Sequence, residues 1–319
     1  MSIKTNTFMM NIMLNAFGFI RSRNNIDFKQ KIYQCMFREK FIIHLTVVTG
    51  IVVLPLFFTS CGEHKEQASD LTDVEITKDT VKSETRINFD LLRVNIPSPG
   101  VLTKKISSAK IVYNKTFLLP AGKRSNYATN YQKAIGMGAF GADIGVAAAH
   151  NQSQDALAYL GEISKLATEL GVNSAFDPEF SQKIISNISK PDTFQLMLDK
   201  AFDKAERNLR SNQRVATTIL MIAGGWVEGL YTSIESLNAN PDAGNAKDLC
   251  NEISVHCYAV DYIYQLLLAY KNNADCAKLL QEMESSKTTL MGYGKTGWDS
   301  TALPKLREIV SVLRNKITA

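Results

Sequence analysis

Apolar residues recur every three or four positions from about residue 98 to the end of this 319-residue chain. This spacing is the pattern of a helix that buries one face, whereas a half-buried strand alternates with a period of two residues. No segment in this part of the chain alternates convincingly. The clearest helical stretches are 157–170, 194–209, 215–237, 249–267 and 306–317. We therefore predict an all-α fold, built as a single multi-helix bundle or irregular helical array of about eight or nine helices.

Turn-forming and capping residues separate these stretches. We expect Gly171 to end one helix and Asp177, which a proline follows, to cap the next. Pro191 and Pro241 mark similar boundaries. Because no fixed sequence period repeats along the chain, a repeat array is only the second choice. The prediction is one all-helical domain over residues 96–319.

An almost unbroken apolar run from Phe41 to Phe58 precedes the helical region, and two small residues lead from it to Cys61. A basic start, an apolar stretch and small residues at its end are typical of a secretory signal peptide. A cysteine in this position resembles the bacterial lipobox, which implies cleavage before Cys61 and lipid on its thiol. A transmembrane anchor is the alternative interpretation of the run. Since signal peptides begin near their charges, we predict a signal peptide at residues 36–60, with residues 1–35 as a misassigned extension.

The net charge of +5 belongs to this leader, since the first 60 residues hold seven Lys or Arg and two acidic residues. The rest of the chain is balanced, so it lacks the basic excess that nucleic-acid binding needs. Residues 61–95 are rich in Lys, Glu, Asp, Ser and Thr, and we predict that they form a flexible tether. With lipid on Cys61, the protein is expected on the outer membrane, at either its periplasmic or its outer face.

Four short motifs stand out in the helical region. They are YATNYQKA at 127–134, GAD at 141–143, NQSQ at 151–154 and GGWVEGLY at 224–231. Together they resemble a group of uncharacterised all-helical lipoproteins of the Bacteroidota, over most of the chain from Pro97 onward. The resemblance implies an envelope location and a helical fold. It implies no activity and transfers no functional residue.

Glycines interrupt two strongly helical stretches, where each costs roughly 1 kcal/mol relative to Ala. They are Gly138, Gly141 and Gly145 in the first stretch and Gly224, Gly225 and Gly229 in the second. We predict that the two helices cross closely here, with backbone near backbone. The first stretch also spells the dinucleotide fingerprint at residues 136–141, but that fingerprint requires a preceding strand. Because a helix precedes it here, we predict no nucleotide cofactor.

Asp143 and Glu228 lie within these glycine-rich stretches, and Trp226 is close to Glu228 in sequence. At a close crossing the two carboxyls would meet in an apolar setting, which would raise the pKa of one of them. Such a pair could serve as acid and base, hold a metal or line a pocket. We favour the alternative that each carboxyl bonds to a neighbouring helix and specifies packing. No His stands three or four residues from either carboxylate, so the helical metal-ligand spacing is missing.

The sequence shows no nucleophile–histidine arrangement, no phosphate loop and no metal-ligand spacing. We therefore predict a non-enzymatic scaffold or interaction module of the cell envelope, without cofactor or metal, that has an envelope protein as its partner and does not bind nucleic acid. The alternative is a small-ligand-binding lipoprotein with a pocket between the Gly-rich helices, close to the carboxylate pair.

Overall fold

The computed structural model describes residues 89–297 and 301–319. These residues contain eleven α-helices and no strand, so the all-α prediction is confirmed, although the predicted number of helices is too small. None of these helices is both long enough and apolar enough to span a membrane. The predicted signal peptide and Cys61 lie outside the described residues.

The α-helices are numbered here in chain order. They are α1 (89–93), α2 (Pro99–Ser108), α3 (Asn130–Ala149), α4 (Ser153–Glu169), α5 (Pro178–Ser186), α6 (Pro191–Ser211), α7 (Val215–Ala239), α8 (Ala246–Tyr258), α9 (Val260–Ala269), α10 (Ala274–Thr296) and α11 (Leu303–Ile317). Short 3-10 turns lie at Lys115–Phe117, Ala121–Asn126 and Asn173–Phe176.

One of the additional helices arises because a predicted helix is divided. The apolar spacing over 249–267 indicates one helix, but α8 ends at Tyr258 and α9 begins at Val260. The indole N–H of Trp226 donates to the carbonyl oxygen of His256 at 2.8 Å. In a continuous helix that oxygen would accept from the amide four residues later. A contact from another helix therefore accompanies the break, and the local sequence does not show it.

The folded domain begins before residue 96, where the sequence analysis places its boundary. Phe89 is only 2% exposed, and the guanidinium of Arg210 lies 4.2 Å from the centre of its ring. Arg93 donates through Nε to Glu206 at 3.0 Å. Arg210 also donates to Asp90 at 2.6 Å. Residues 89–95, which the composition assigns to the tether, therefore pack on α6 through one aromatic ring and two ion pairs.

Helices α3 and α7 cross at the centre of the domain, and glycines make their closest approach sterically feasible. A Cβ atom on Gly138 would lie 2.7 Å from the backbone nitrogen of Gly225 and closer still to the carbonyl oxygen of Met221. A Cβ on Gly224 would lie 2.8 Å from the carbonyl carbon of Ile135. Backbone atoms cannot yield as a flexible side chain can, so only glycine fits at these two positions.

The other glycines of the two helices face residues of α6 and α2. Gly141 faces the Phe202 ring of α6, and Gly145 faces the Gln195 side chain of the same helix. Gly229 lies against Pro99 at the start of α2. The glycine faces of α3 and α7 thus position α6 and α2 around the crossing.

Candidate functional site

A buried polar cluster joins three helices near the crossing. Asp143 of α3 and Glu228 of α7 are fully buried, and the side chain of Arg314 on α11 is 12% exposed. Arg314 donates to both Glu228 oxygens, from Nε to Oε2 at 2.8 Å and from Nη2 to Oε1 at 2.7 Å. This two-point geometry is the strongest form of an arginine–carboxylate pair.

Asp143 holds a loop against α3. Its Oδ2 accepts a hydrogen bond from the backbone N–H of Leu119 at 3.0 Å. The carbonyl oxygen of Leu119 accepts from the Tyr159 hydroxyl at 2.6 Å. The Leu119 backbone is therefore fixed on both sides. Among the described residues, no N–H or hydroxyl group donates a hydrogen bond to the second oxygen, Oδ1.

One proton belongs to the two carboxyls together. Burial raises the pKa of Asp143 well above its usual range, and the charge of Glu228 raises it further. Burial raises the pKa of Glu228 as well, but the hydrogen bonds and charge of Arg314 oppose that rise. From these directions we infer that Asp143 holds the proton and donates it in a hydrogen bond to Glu228, the carboxylate that balances Arg314.

The groups around this cluster enclose it. The Tyr127 hydroxyl is buried without a hydrogen-bond partner among the described residues, and its burial raises its pKa. Burial and the charge of Arg314 lower the pKa of Lys123. The Arg314 guanidinium lies 4.2 Å from the centre of the Tyr231 ring. With Asp143 neutral and one ion pair beside it, the cluster suits a role in packing three helices and one loop.

Asp143→Asn should preserve the fold and change how stability depends on pH. The amide can keep the bond from Leu119 and donate to Glu228, as the protonated acid does. Because the pKa of Asp143 is raised in the folded state, wild type holds its extra proton above about pH 4, where the unfolded chain releases it. Wild-type stability relative to the variant should fall as pH rises, by up to about 1.4 kcal/mol per pH unit until the folded pKa is passed.

Urea unfolding followed by circular dichroism between pH 5 and pH 8 measures this difference. Asp192→Asn is the matched control, because it makes the same Asp-to-Asn change at a side chain that is 94% exposed. A wild-type minus Asp143→Asn difference that stays constant over this range would contradict the assignment of the proton to Asp143.

A cavity of about 300 Å³ lies on the other side of the glycine crossing. Gly138, Gly141 and Gly225 contribute backbone to its floor, and the start of α2 and one face of α6 form walls. Pockets that hold small molecules begin at about this volume. Three glycines of the Gly-rich helices, between which the sequence predicts a pocket, are thus among the residues that line this cavity.

The residues expected at that pocket lie elsewhere. Asp143, Glu228 and Trp226 do not line the cavity. Asp143 follows Gly141 by two residues, which places it about 200° around the helix. It consequently faces the Leu119 loop, while Gly141 faces α6. The buried carboxylate cluster and the cavity are two separate features of one crossing.

Carboxylates on α6 form the polar wall of the cavity. Asp199 accepts hydrogen bonds through Oδ1 from Ser98 at 3.2 Å and from Gln195 at 2.9 Å, and burial raises its pKa. Asp203 lies one turn further along and is exposed. Glu206 pairs with Arg93, whereas no Lys or Arg among the described residues forms an ion pair with Asp199 or Asp203. The wall therefore has two carboxyl groups that form no ion pair in the described residues, although the charge of Lys104 acts on Asp199 from a greater distance.

Sequence patterns did not identify two groups of site residues, for different reasons. Arg314 is 86 positions from Glu228 along the chain, so no local pattern connects them. Asp199 and Asp203 are four residues apart on a predicted helix and share one face of it. The sequence shows that spacing, but the pocket was predicted next to Asp143 and Glu228 because these two carboxyls lie in the glycine-rich stretches.

Cysteines and metal ligands add no site in the described residues. The sequence allows one disulfide among Cys250, Cys257 and Cys276, and in the structure all three are free thiols. No group of three or more His, Cys, Asp or Glu side chains in the described ranges is placed to hold a metal ion.

His256 should make the domain less stable in acid. It is fully buried, its Nδ1 lies 3.0 Å from the carbonyl oxygen of Glu252, and burial lowers its pKa to about 4. Between the unfolded pKa of about 6.5 and the folded one, the unfolded chain binds the extra proton. Stability is therefore complete above about pH 6.5 and falls as pH drops towards 4.

His256→Gln removes this titration. Over that interval wild type should lose about 3 kcal/mol relative to the variant, as measured by urea unfolding at pH 7, 6, 5 and 4. Parallel stability curves for the two proteins would show that His256 does not titrate as a buried neutral side chain.

Comparison with known proteins identified no relative: no family model, no curated protein and no solved structure matches this chain.

Proposed function

We propose that this chain is a lipid-anchored protein of the cell envelope whose helical domain binds a small organic ligand without transforming it. The cavity of about 300 Å³ beside the glycine crossing carries the proposal. It combines a backbone floor with apolar side chains and a few carboxylates, which is the usual composition of a ligand site. The cluster of Asp143, Glu228 and Arg314 lies outside this cavity, and Arg314 already engages both oxygens of Glu228.

The anchor half of the proposal is supported by the sequence around Cys61. An apolar run, two small residues and this cysteine favour lipidation, and two or three acyl chains hold a protein stably on a membrane. Attachment to the outer membrane follows as part of the proposal. The tether would then present the domain at one of its two faces.

The aromatic residues of the C-terminal third support a scaffold function less well than the cavity supports ligand binding. Tyr258 and Tyr262 are only partly exposed and pack edge to face, with ring centres 5.8 Å apart at 77°. An interaction module would be better supported by a broad exposed aromatic patch. The cavity therefore favours the ligand-binding function over the scaffold that the sequence predicts.

Two variants test the two halves of the proposal separately. Cys61→Ala should remove the lipid mass from the intact protein and release it from the membrane fraction. Ile222→Trp should fill the cavity, because Ile222 lines it and is partly exposed. Native mass spectrometry of the full chain, extracted in mild detergent from its native cells, should show an additional non-covalent mass on wild type and none on Ile222→Trp.

A wild-type spectrum that shows only the lipidated protein would contradict ligand binding and return the scaffold to first place. A Cys61→Ala protein that stays in the membrane fraction would contradict the anchor.

A further inference from the structure

We propose that the ligand of this cavity is a small organic cation, an amine with an apolar body. The inference rests on the proposed ligand-binding function and names the chemical class that the cavity selects. Three features of the cavity support it: the charge of one helix face, the aromatic ring within that face, and the apolar surface opposite.

Helix α6 contributes three carboxyl groups to the cavity. Asp199, Asp203 and Glu206 all line the cavity, and Arg93 is the one cationic side chain in the described lining. Arg93 is already engaged by Glu206 at 3.0 Å. Asp199 and Asp203, four residues apart on one helix, are therefore left without an ion pair in the described residues. Like charges at this spacing repel each other, and a bound cation would relieve that repulsion.

An aromatic ring lies beside the two carboxyl groups in the cavity lining. Phe202 is three residues after Asp199 and directly before Asp203, and it lines the same cavity. Its ring is held edge to face against Phe176, with ring centres 5.7 Å apart. Carboxylates beside an aromatic face are the combination that recognises ammonium groups, because both the charges and the ring attract a cation.

The remaining surface suits an apolar body. Leu198, Met221 and Ile222 line the cavity, together with the glycine floor. A carboxylate or phosphate ligand would meet uncompensated negative charge here and would be rejected.

Isothermal calorimetry with three probes of similar shape tests the class of ligand. The probes are phenylethylammonium, the neutral 2-phenylethanol and the anionic 3-phenylpropanoate, each titrated into the full chain from which bound compounds have been removed. The cation should bind about tenfold more tightly than the alcohol, since a hydrogen bond to a charged group contributes that much. The anion should not bind.

Asp199→Asn should remove the preference for the cation, because the amide keeps an acceptor for Ser98 and Gln195 but loses the charge. Asp192→Asn, on the same helix but outside the cavity lining, should leave the preference unchanged. Ile222→Trp should abolish binding of both the cation and the alcohol.

Equal or tighter binding of the alcohol or the anion, blocked by Ile222→Trp, would overturn the cation class and leave the ligand-binding function standing. Binding of none of the probes would also overturn this inference. The function itself is decided by the additional mass on the protein from its native cells.

Discussion

Gly224→Ala should destabilise the helical domain by about 3 kcal/mol or more, or prevent its folding. The added methyl would lie 2.8 Å from the Ile135 carbonyl carbon and closer still to the oxygen bonded to it. Overpacking that side chains can absorb costs about 1–3 kcal/mol, and here a backbone segment of α3 would have to move. Gly138→Ala should act in the same direction, because its methyl would meet the backbone of α7.

Gly161→Ala is the matched control for these variants. Gly161 is an exposed glycine inside α4, and apart from the backbone of its own helix and its chain neighbours no atom lies within 4 Å of the position that its Cβ would take. Alanine should therefore stabilise the domain by up to about 1 kcal/mol through its higher helix propensity. Urea unfolding followed by circular dichroism compares the variants. Similar stabilities for Gly224→Ala and Gly161→Ala would show that α3 and α7 do not cross with backbone against backbone.

Glu228→Gln should cost about 3–5 kcal/mol, because it leaves the Arg314 guanidinium in the protein interior without its carboxylate. Both oxygens of Glu228 accept from Arg314, so the amide would also turn an N–H₂ group towards a donor. Asp143 offers a partial rescue: without the charge of Glu228 its pKa should fall, and its carboxylate could balance Arg314. The double variant with Asp143→Asn removes this rescue and should be less stable than the two single effects predict together.

Glu179→Gln provides the comparison for Glu228→Gln. Glu179 forms an ion pair with Lys183 on the surface of α5, where its side chain is 82% exposed. Loss of this pair should change the free energy of unfolding by less than about 0.5 kcal/mol. If Glu228→Gln were as mild as Glu179→Gln, the buried ion pair would not hold α7 to α11.

The fold class could be predicted because amphipathic spacing is a local property. Each helix carries its own apolar face, and capping residues such as Asp177 mark boundaries: its side chain accepts from the Phe180 amide at 2.8 Å. The predicted number of helices was wrong where tertiary contacts decide whether a helix continues or ends. The Trp226 indole, from a different helix, engages the His256 carbonyl at the α8–α9 break. The burial of Phe89 likewise depends on Arg210, which no pattern in the tether indicates.

The site could be predicted only in part, for a related reason. Unfavourable glycines within helices indicated a close approach, and the structure has Gly138 and Gly224 at that approach. Neither the partner of Glu228 nor the shared proton follows from local sequence, because Arg314 comes from the last helix. The cavity depends on which face of α6 packs towards the crossing, and periodicity fixes the apolar face without fixing its neighbour.

A crystal structure of the full chain, purified from its native cells without added ligand, tests the ligand-binding proposal most directly. The proposal predicts well-defined electron density for a small molecule above Gly138 and Gly225, with a nitrogen atom within hydrogen-bond distance of Asp199. Density for ordered water alone, or a cavity closed by movement of α6 onto the glycine floor, would contradict it.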